Sequence, residues 1–230
     1  GNVYTLGLAL TNTPDGSETL TVVPASSNSI YDTVGNAAST SQNNNSVTLN
    51  DKTGPTMTIT ATNVSSGDTT NDATLALTFT SSEATTNFVK DDIELTNGTL
   101  GTLSGSGTEY TATFTPSGDG GCTIKVLAGQ FTDASGNGNE ASNEFSWTYD
   151  GTPPHIIATS IASDNSTISV TFNEAVFNTS AGSGALEASD FALSISGGTA
   201  TVAATPNSIS VSGNVYTLGL ALTNTPDGSE

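Results

Sequence analysis

Apolar and small polar residues alternate along most of the chain, and short groups of Gly, Pro, Asn and Asp interrupt the alternation. The clearest examples are Leu75-Ala-Leu-Thr-Phe79, Tyr110-Thr-Ala-Thr-Phe114 and Cys122-Thr-Ile-Lys-Val126. A period of two places successive side chains on opposite faces of a strand, and β-branched residues suit that conformation. No stretch has the spacing of an amphipathic helix. The pattern therefore predicts an all-β fold of short sandwich strands and argues against disorder.

The sequence also repeats itself. Its last eighteen residues, Gly213 to Glu230, are identical to its first eighteen, Gly1 to Glu18. Self-similarity at a fixed period is typical of tandem repeat proteins. We therefore interpret the chain as a window onto a tandem array.

A weaker internal repeat divides the chain into modules. A strand, a turn with Asp-Gly and a second strand occur at 4–22 and again at 110–126, and each copy leads to an Asp-x-x-Gly-Asn loop and a last strand. Each copy ends in a joint of the form Asp-x-Thr-x-Pro, at 51–55 and 150–154. The repeat predicts a complete seven-stranded sandwich at 51–150, the C-terminal part of a module at 1–50 and the N-terminal part of a second type of module at 151–230. In the repeat register, residues 19–50 supply the last strands of that second type.

Several motifs in the complete module resemble a known family. They are Ser82-Glu-Ala84, Asp91-Asp-Ile93, the segments 96–100 and 105–116, Ala128-Gly-Gln-Phe-Thr-Asp133 and Gly136-Asn137. Together they resemble the bacterial Ig-like repeat domains of large, repetitive cell-surface adhesins, closely over 51–150 and more loosely elsewhere. The resemblance implies tandem Ig-like Greek-key β-sandwich modules in an elongated rod. It also implies secretion to the bacterial cell surface and calcium at joints or loops.

The charge of the chain narrows the choice of partners. With 22 acidic and 3 basic residues, the formal net charge is -19. Such a chain lacks the basic surface that nucleic-acid binding requires, and divalent cations are its natural counter-charge. No run of eighteen apolar residues predicts insertion into a membrane. Cys122 is the only cysteine, so no disulfide forms within one chain, and its place in an alternating run predicts a small buried side chain.

Acidic residues recur at corresponding places in the two modules, which makes Ca²⁺ the candidate cofactor. In an Ig-like module the loop before the last strand, the end of an early strand and the joint can lie close together, and Ca²⁺ takes six to eight hard oxygen ligands. The candidate ligands in the complete module are Asp133, Glu83 and Asp92 with a joint aspartate, Asp51 or Asp150; those in the second type are Asp32, Glu174 and Asp190. The alternative is turn chemistry, in which Asp binds its own backbone and Gly permits a positive φ.

The sequence contains no complete catalytic motif, and we predict that the protein is not an enzyme. His155 is the only histidine and directly follows Pro153-Pro154 at a joint. No serine lies in a Gly-x-Ser-x-Gly motif, and one histidine cannot supply a zinc site of the thermolysin type. The aromatic stripe Phe145, Trp147 and Tyr149 suits a core strand, with a sugar-stacking surface as the alternative.

These observations favour a structural extender segment of a bacterial surface adhesin, stiffened by calcium, which projects a distal binding domain from the cell. Its partners are then the neighbouring repeats of the same polypeptide. One alternative is a self-assembling surface filament or S-layer-like subunit, in which residues 1–50 of one chain complete residues 151–230 of the next by strand addition. A carbohydrate-binding module is the second alternative.

Overall fold

The computed structural model describes residues 3–229. Within these residues the regular structure consists of β-strands and two short 3-10 helices, Lys90–Asp92 and Ala188–Asp190, which confirms the predicted all-β class. The chain divides into two compact units, with the boundary between Gly151 and Thr152.

Among residues 3–229, ten strands lie in the first unit and six in the second. Those of the first unit are β1 (Thr19–Thr21), β2 (Ser46–Thr48), β3 (Met57–Ala61), β4 (Thr69–Thr70), β5 (Leu75–Thr85), β6 (Ile93–Thr96), β7 (Gly98–Leu100), β8 (Ser104–Pro116), β9 (Gly120–Val126) and β10 (Phe145–Tyr149). Those of the second unit are β11 (Ile156–Ile161), β12 (Thr167–Phe172), β13 (Thr201–Val202), β14 (Ile209–Ser212), β15 (Val215–Gly219) and β16 (Leu222–Thr223).

Strands β3 to β10 form a two-layer sandwich. One sheet has the order β3-β5-β8-β7 and the other the order β4-β10-β9-β6. Every pair is antiparallel except β4 with β10, which is parallel. A four-stranded sheet thus faces a second sheet in which β6, β9 and β10 are joined by the short strand β4. This is the arrangement of an Ig-type sandwich.

Alternate side chains of both sheets meet in one core. Phe79, Phe114, Ile124 and Phe131 are fully buried. Burying one such side chain contributes roughly 1.5–3 kcal/mol. Trp147 is also buried and meets Phe114 edge to face, with ring centroids 4.8 Å apart. The aromatic stripe of β10 is therefore part of the core and does not form a sugar-stacking surface.

The polypeptide passes through this sandwich from one end to the other. Residues 55–70 and residues 140–150 run in the same direction beside each other. Where they begin, the Glu140 N–H donates to the Pro55 carbonyl (2.9 Å). Where they end, the Asp150 N–H donates to the Thr70 carbonyl (3.0 Å). Residues 51–55 therefore lie at one end, here called the leading end. Residues 149–151 lie at the opposite, trailing end.

The second unit contains one four-stranded sheet, β11-β12-β15-β14, and the short pair β13-β16. Its sheet order repeats that of β3-β5-β8-β7. Val170, Tyr216 and Leu218 form the buried centre, with partly buried apolar side chains around them. This core is smaller than that of the first unit.

Residues 3–50 belong to the first unit but form only one strand pair, β1 with β2. Residues 3–10 form no strand, although their identical copy at 215–222 contains β15. The same sequence therefore has two conformations in one chain.

Candidate metal centre at the leading end of the sandwich

The loop before β10 carries Asp133 in a fixed conformation. One carboxylate oxygen of Asp133 accepts the Asn137 N–H and the other accepts the Asn137 Nδ2–H, both at 2.9 Å. Gly136 adopts a φ of 87°, which a side chain would disfavour, and allows the loop to turn back on Asp133. A carboxylate oxygen has two lone pairs, so one that accepts a single hydrogen bond can still bind a cation.

The buried side chain of Asn139 holds the base of the same loop. Its Oδ1 accepts the N–H groups of Gln130 (2.7 Å) and Phe131 (3.0 Å). Its Nδ2 donates to the carbonyls of Leu127 and Glu140. With these bonds and the buried ring of Phe131, the loop is fixed to the end of the sandwich.

Glu83 comes from the irregular end of β5. The pairing of β5 with β8 shifts register between Thr80 and Thr85, and Thr85 forms an isolated bridge with Asp133. The Ser82 N–H donates to the Thr56 carbonyl and the Ser82 Oγ accepts the Thr56 N–H, both at 2.9 Å. These contacts place Glu83 between the loop and the joint.

Asp51 begins the joint, which the preceding segment also contacts. The Asp51 carboxylate accepts the Thr53 N–H (2.9 Å). The Pro14 carbonyl accepts bonds from the Lys52 N–H (2.8 Å) and the Thr53 hydroxyl (3.1 Å). At Gly54 a Cβ would lie 2.0 Å from the Gly138 carbonyl oxygen, so only glycine allows this close approach of joint and loop.

These elements bring one carboxylate oxygen each from Asp51, Glu83 and Asp133 within 4.8 Å of one another. Two oxygens that bind one Ca²⁺ at 2.3–2.6 Å lie at most about 5 Å apart, so the spacing suits a shared cation. Within residues 3–229, the ion pairs join Lys125 to Glu94 and Glu144, and none neutralises these three carboxylates.

The electrostatics of the cluster reflect uncompensated negative charge. Burial, followed by the charges of Asp51, Asp133 and Asp15, raises the pKa of Glu83. Burial also acts to raise the pKa of Asp133, but hydrogen bonds from Asn137 and from the backbone of Ser135 and Gly136 together lower it. A bound divalent cation would relieve the repulsion at Glu83.

Comparison with known proteins agrees with this fold. A family model described as the bacterial Ig-like domain matches residues 51–149. This segment is a bacterial Ig-like domain. Domains of this family are typically not enzymes and are commonly extracellular. Neither a curated protein nor a solved structure matches the chain.

Among the helices of residues 3–229, none has the length and apolar character needed to span a membrane.

Two predicted ligands, Asp92 and Asp190, cap short helices. Asp92 in the Ig-like domain accepts the Val89 N–H, and Asp190 accepts the Glu187 N–H, each at 2.8 Å. Each bond closes the first turn of a 3-10 helix. Neither residue belongs to the group of three carboxylates.

The other predicted ligands lie apart from the cluster. Asp150 is at the trailing end of the Ig-like domain. Glu174 accepts a bond from its neighbour Asn173 (3.0 Å). Asp32 is exposed and accepts bonds from the Asn36 N–H (2.8 Å) and Nδ2–H (2.7 Å), as Asp133 does from Asn137. Within residues 3–229 no second group of three candidate ligands meets the same spacing.

Sequence reasoning missed Asp15, whose charge acts on Glu83. The internal repeat contained a signal for this residue. The Asp15-Gly16 turn comes before the joint at 51–55 in the same way that the Asp119-Gly120 turn comes before the joint at 150–154. At the trailing end of the Ig-like domain, the Asp119 carboxylate accepts the Gly151 N–H (2.7 Å). The Asp-Gly turn therefore lies against the joint in both places.

Proposed function

We propose that this chain is a structural extender segment of a bacterial surface adhesin and that calcium stiffens its joints. The observation that carries the proposal is the path of the polypeptide, which enters the Ig-like domain at the leading end and leaves it at the trailing end. Domains connected in this way add their lengths along the chain. The function is then mechanical: it holds a distal binding domain away from the cell.

The dimensions of the domain suit this role. Strands of six or seven residues span about 20 Å, and with loops and a joint each module adds about 40 Å. Proline restricts the backbone at both joints, as Pro55 at the first and as Pro153-Pro154 at the second. The joints are thus short and restricted rather than flexible linkers.

Calcium would act at the leading end through Asp51, Glu83 and Asp133. Asp51 belongs to the joint, Glu83 to β5 and Asp133 to the loop before β10. A cation bound by all three would fix the joint to the body of the domain. Because Pro14 and Gly16 contact the joint, the preceding segment would be held as well.

The expected energy is modest. Extracellular calcium sites bind with dissociation constants of about 10⁻⁴–10⁻³ M. At a calcium concentration about tenfold above the dissociation constant, the folded state gains about 1.4 kcal/mol. Calcium would therefore restrict the joint more than it would drive folding.

Calorimetric titration of CaCl₂ into the chelator-treated protein tests the metal site. We expect one binding event that Asp133→Asn or Glu83→Gln weakens at least tenfold. The matched control is Asp72→Asn, which removes an exposed carboxylate near Thr70, away from the cluster. Equal heats for all four proteins, or no heat for the parent, would exclude a calcium site at this cluster.

Small-angle scattering tests the mechanical role. With calcium, we expect a larger radius of gyration and a narrower range of shapes for the parent than for Glu83→Gln. In the adhesin that carries this segment, deleting residues 51–150 should shorten the reach of the distal domain without loss of its ligand affinity. Unchanged reach after the deletion would contradict the extender role.

A further inference from the structure

The segments by which the chain enters and leaves the Ig-like domain are in direct contact. Residues 55–70 lie beside residues 140–150 and run in the same direction. Near the trailing end the contact becomes a parallel strand pair, β4 with β10, whereas the other strand pairs of the sandwich are antiparallel. We call residues 55–70 the entry segment and residues 140–150 the exit segment.

Backbone hydrogen bonds join the two segments at both ends of the domain. The Glu140 N–H bond to the Pro55 carbonyl lies at the leading end. In the trailing half, the Ser146 carbonyl accepts the Gly67 N–H (2.7 Å) and the Asp68 carbonyl accepts the Thr148 N–H (2.9 Å). In the described part of the chain, no backbone bond joins residues 56–66 to the exit segment.

The side chain of Asn143 bridges this gap. Its Oδ1 accepts the Ile59 N–H (2.7 Å) and its Nδ2 donates to the Ile59 carbonyl (3.0 Å). Two residues of an antiparallel ladder exchange the same two bonds, so the carboxamide takes the place of a strand residue at the edge of β3. The Ile59 groups face this edge because β5 binds the backbone of Thr56 and Thr62, each three positions away.

Tension along the chain would load these bonds in shear. A pull through the two joints draws the entry segment toward the leading end and the exit segment toward the trailing end. The two segments are then drawn past each other along their common direction. Bonds that cross between them share this load and break together, whereas bonds pulled apart from one end break one after another.

We propose that the bonds between the entry and exit segments form a mechanical clamp, with Asn143 as its central force-bearing side chain, which keeps the Ig-like domain folded under tension. This inference rests on the proposed extender role, because a segment that holds a distal domain away from the cell carries tension. It does not require calcium. The backbone groups of the clamp belong to Pro55, Ile59, Gly67, Asp68 and Thr70 on the entry segment and to Glu140, Ser146, Thr148 and Asp150 on the exit segment.

Stretching of single full-length chains at constant force, in the presence of a chelator, tests the clamp. Unfolding of residues 51–150 is recognised by an extension of up to about 300 Å, since about 100 residues span at most about 3.3–3.6 Å each. Forced unfolding follows the unfolding rate, and Asn143→Ala should raise this rate at least tenfold. Asn143 is exposed, so the substitution leaves the core unchanged.

Asn87→Ala is the matched control. Asn87 is also exposed and also exchanges two bonds with one distant residue: its Oδ1 accepts the Thr132 N–H (3.1 Å) and its Nδ2 donates to the Thr132 hydroxyl (3.3 Å). Neither residue lies in the entry or exit segment. Asn87→Ala should therefore raise the rate under force less than threefold.

Chemical denaturation measures the stability that each variant loses without force, so that a general loss can be subtracted. After this subtraction, equal unfolding rates under force for Asn143→Ala and Asn87→Ala would overturn the proposal. The absence of any increase for Asn143→Ala would overturn it as well.

The direction of pulling gives a second test, which leaves every bond of the clamp in place. Lys52→Cys and Glu140→Cys provide two exposed attachment points at the leading end, and Cys122 stays buried. A pull between them opens the clamp from one end, and the unfolding force should be at least twofold lower than for a pull through the chain ends. Equal forces in the two directions would overturn the proposal, even if Asn143→Ala did not fold.

These measurements can fail independently of the proposed function. The reach of the adhesin after deletion of residues 51–150 tests the extender role, and calorimetry tests the calcium site. A domain that resists shear in a chain whose reach does not change on deletion would contradict the extender role alone. A domain that unfolds at equal force in both directions would contradict the clamp alone.

Discussion

The two copies of the duplicated segment have one sequence and two structures. Tyr4 is 83% exposed and its copy Tyr216 is 6% exposed; Leu6 is 65% exposed and its copy Leu218 is 1% exposed. Residues 3–10 form no strand, whereas Val215–Gly219 forms β15. The two copies have the same intrinsic propensity for β-strand, so this propensity does not decide which copy becomes a strand.

The difference lies in the neighbours of each copy. Strand β15 exchanges backbone hydrogen bonds with β12 on one side and β14 on the other. Its side chains also meet Phe172 and Phe191 through Tyr216. Ordering one residue costs about 1–2 kcal/mol in backbone entropy, which only such pairing and burial can offset. Residues 3–10 have no neighbouring strand and remain irregular.

The largest expected contrast comes from removing the tyrosine ring in each copy. Tyr216→Ala should destabilise the second unit by roughly 3 kcal/mol, because it opens a cavity and removes the hydroxyl bond to Val176. Tyr4→Ala should change the stability by less than about 0.5 kcal/mol. Urea unfolding monitored by hydrogen exchange measures both effects, in residues 152–229 for Tyr216→Ala and in residues 3–151 for Tyr4→Ala. A comparable loss for Tyr4→Ala would show that residues 3–10 are packed in solution.

The same comparison shows how far sequence predicts structure here. Alternation predicts the buried strands at 75–79, 110–114 and 122–126, because a period of two is enough to mark one face of a sheet. It cannot choose between the copies at 3–10 and 215–222, since the choice depends on partners distant in sequence. The fold class is predictable; the place of each repeated strand is not.

The carboxylate cluster shows a similar limit. Acidic residues that recur at corresponding positions of the two modules predicted Asp133, Glu83 and a joint aspartate as calcium ligands. They also pointed to Asp92, whose carboxylate closes a 3-10 turn, a local bond that sequence periodicity does not reveal. The meeting of Glu83 with Asp51 depends on the register shift in β5. Whether the cluster binds calcium stays a prediction.

A second contrast concerns the glycine of the duplicated segment. At Gly219 a Cβ would lie 2.0 Å from the Asn207 Oδ1 and 2.2 Å from the Ser208 Oγ; at Gly7 it would meet nothing within 4 Å. Gly219→Ala should therefore cost about 0.5–1.5 kcal/mol, because the flexible side chains of Asn207 and Ser208 must rotate away, and Gly7→Ala should cost almost nothing. Thermal unfolding of the two variants beside the parent measures the difference. Equal melting temperatures would mean that the Asn207 side chain moves aside freely.

A third contrast uses the two Asp-x-x-Gly-Asn loops, which share their hydrogen bonds but not their surroundings. In calcium-free buffer, Asp133→Ala should cost about 1 kcal/mol, because the half-buried Asn137 loses its acceptor while the repulsion on Glu83 falls. Asp32→Ala removes the same bonds at an exposed position and should cost less than about 0.5 kcal/mol. Chemical denaturation in the presence of a chelator is the measurement. Equal costs would mean that burial of the loop adds nothing to its stability.

The smallest expected effect concerns Glu83 and its counterpart Glu174. Without calcium, Glu83→Gln should stabilise the Ig-like domain by a few tenths of a kcal/mol, because it removes a partly buried charge and its repulsion with Asp51 and Asp133. Glu174 has no such cluster, and Glu174→Gln serves as the control. With calcium the sign reverses, since Glu83→Gln then loses a ligand. Melting temperatures with chelator and with calcium measure both effects.

The pH dependence of this effect follows from the raised pKa of Glu83. The folded state holds the proton of Glu83 more tightly than the unfolded state, whose pKa is near the usual 4.5. Burial of the charged carboxylate, together with its repulsion from the neighbouring acidic groups, therefore lowers the stability of the folded state in full at pH values above the folded pKa. This loss disappears as the pH falls below 4.5. The stabilisation by Glu83→Gln in chelator should be complete at neutral pH and absent in acid. A gain that is independent of pH would assign it to packing of the amide rather than to removal of charge.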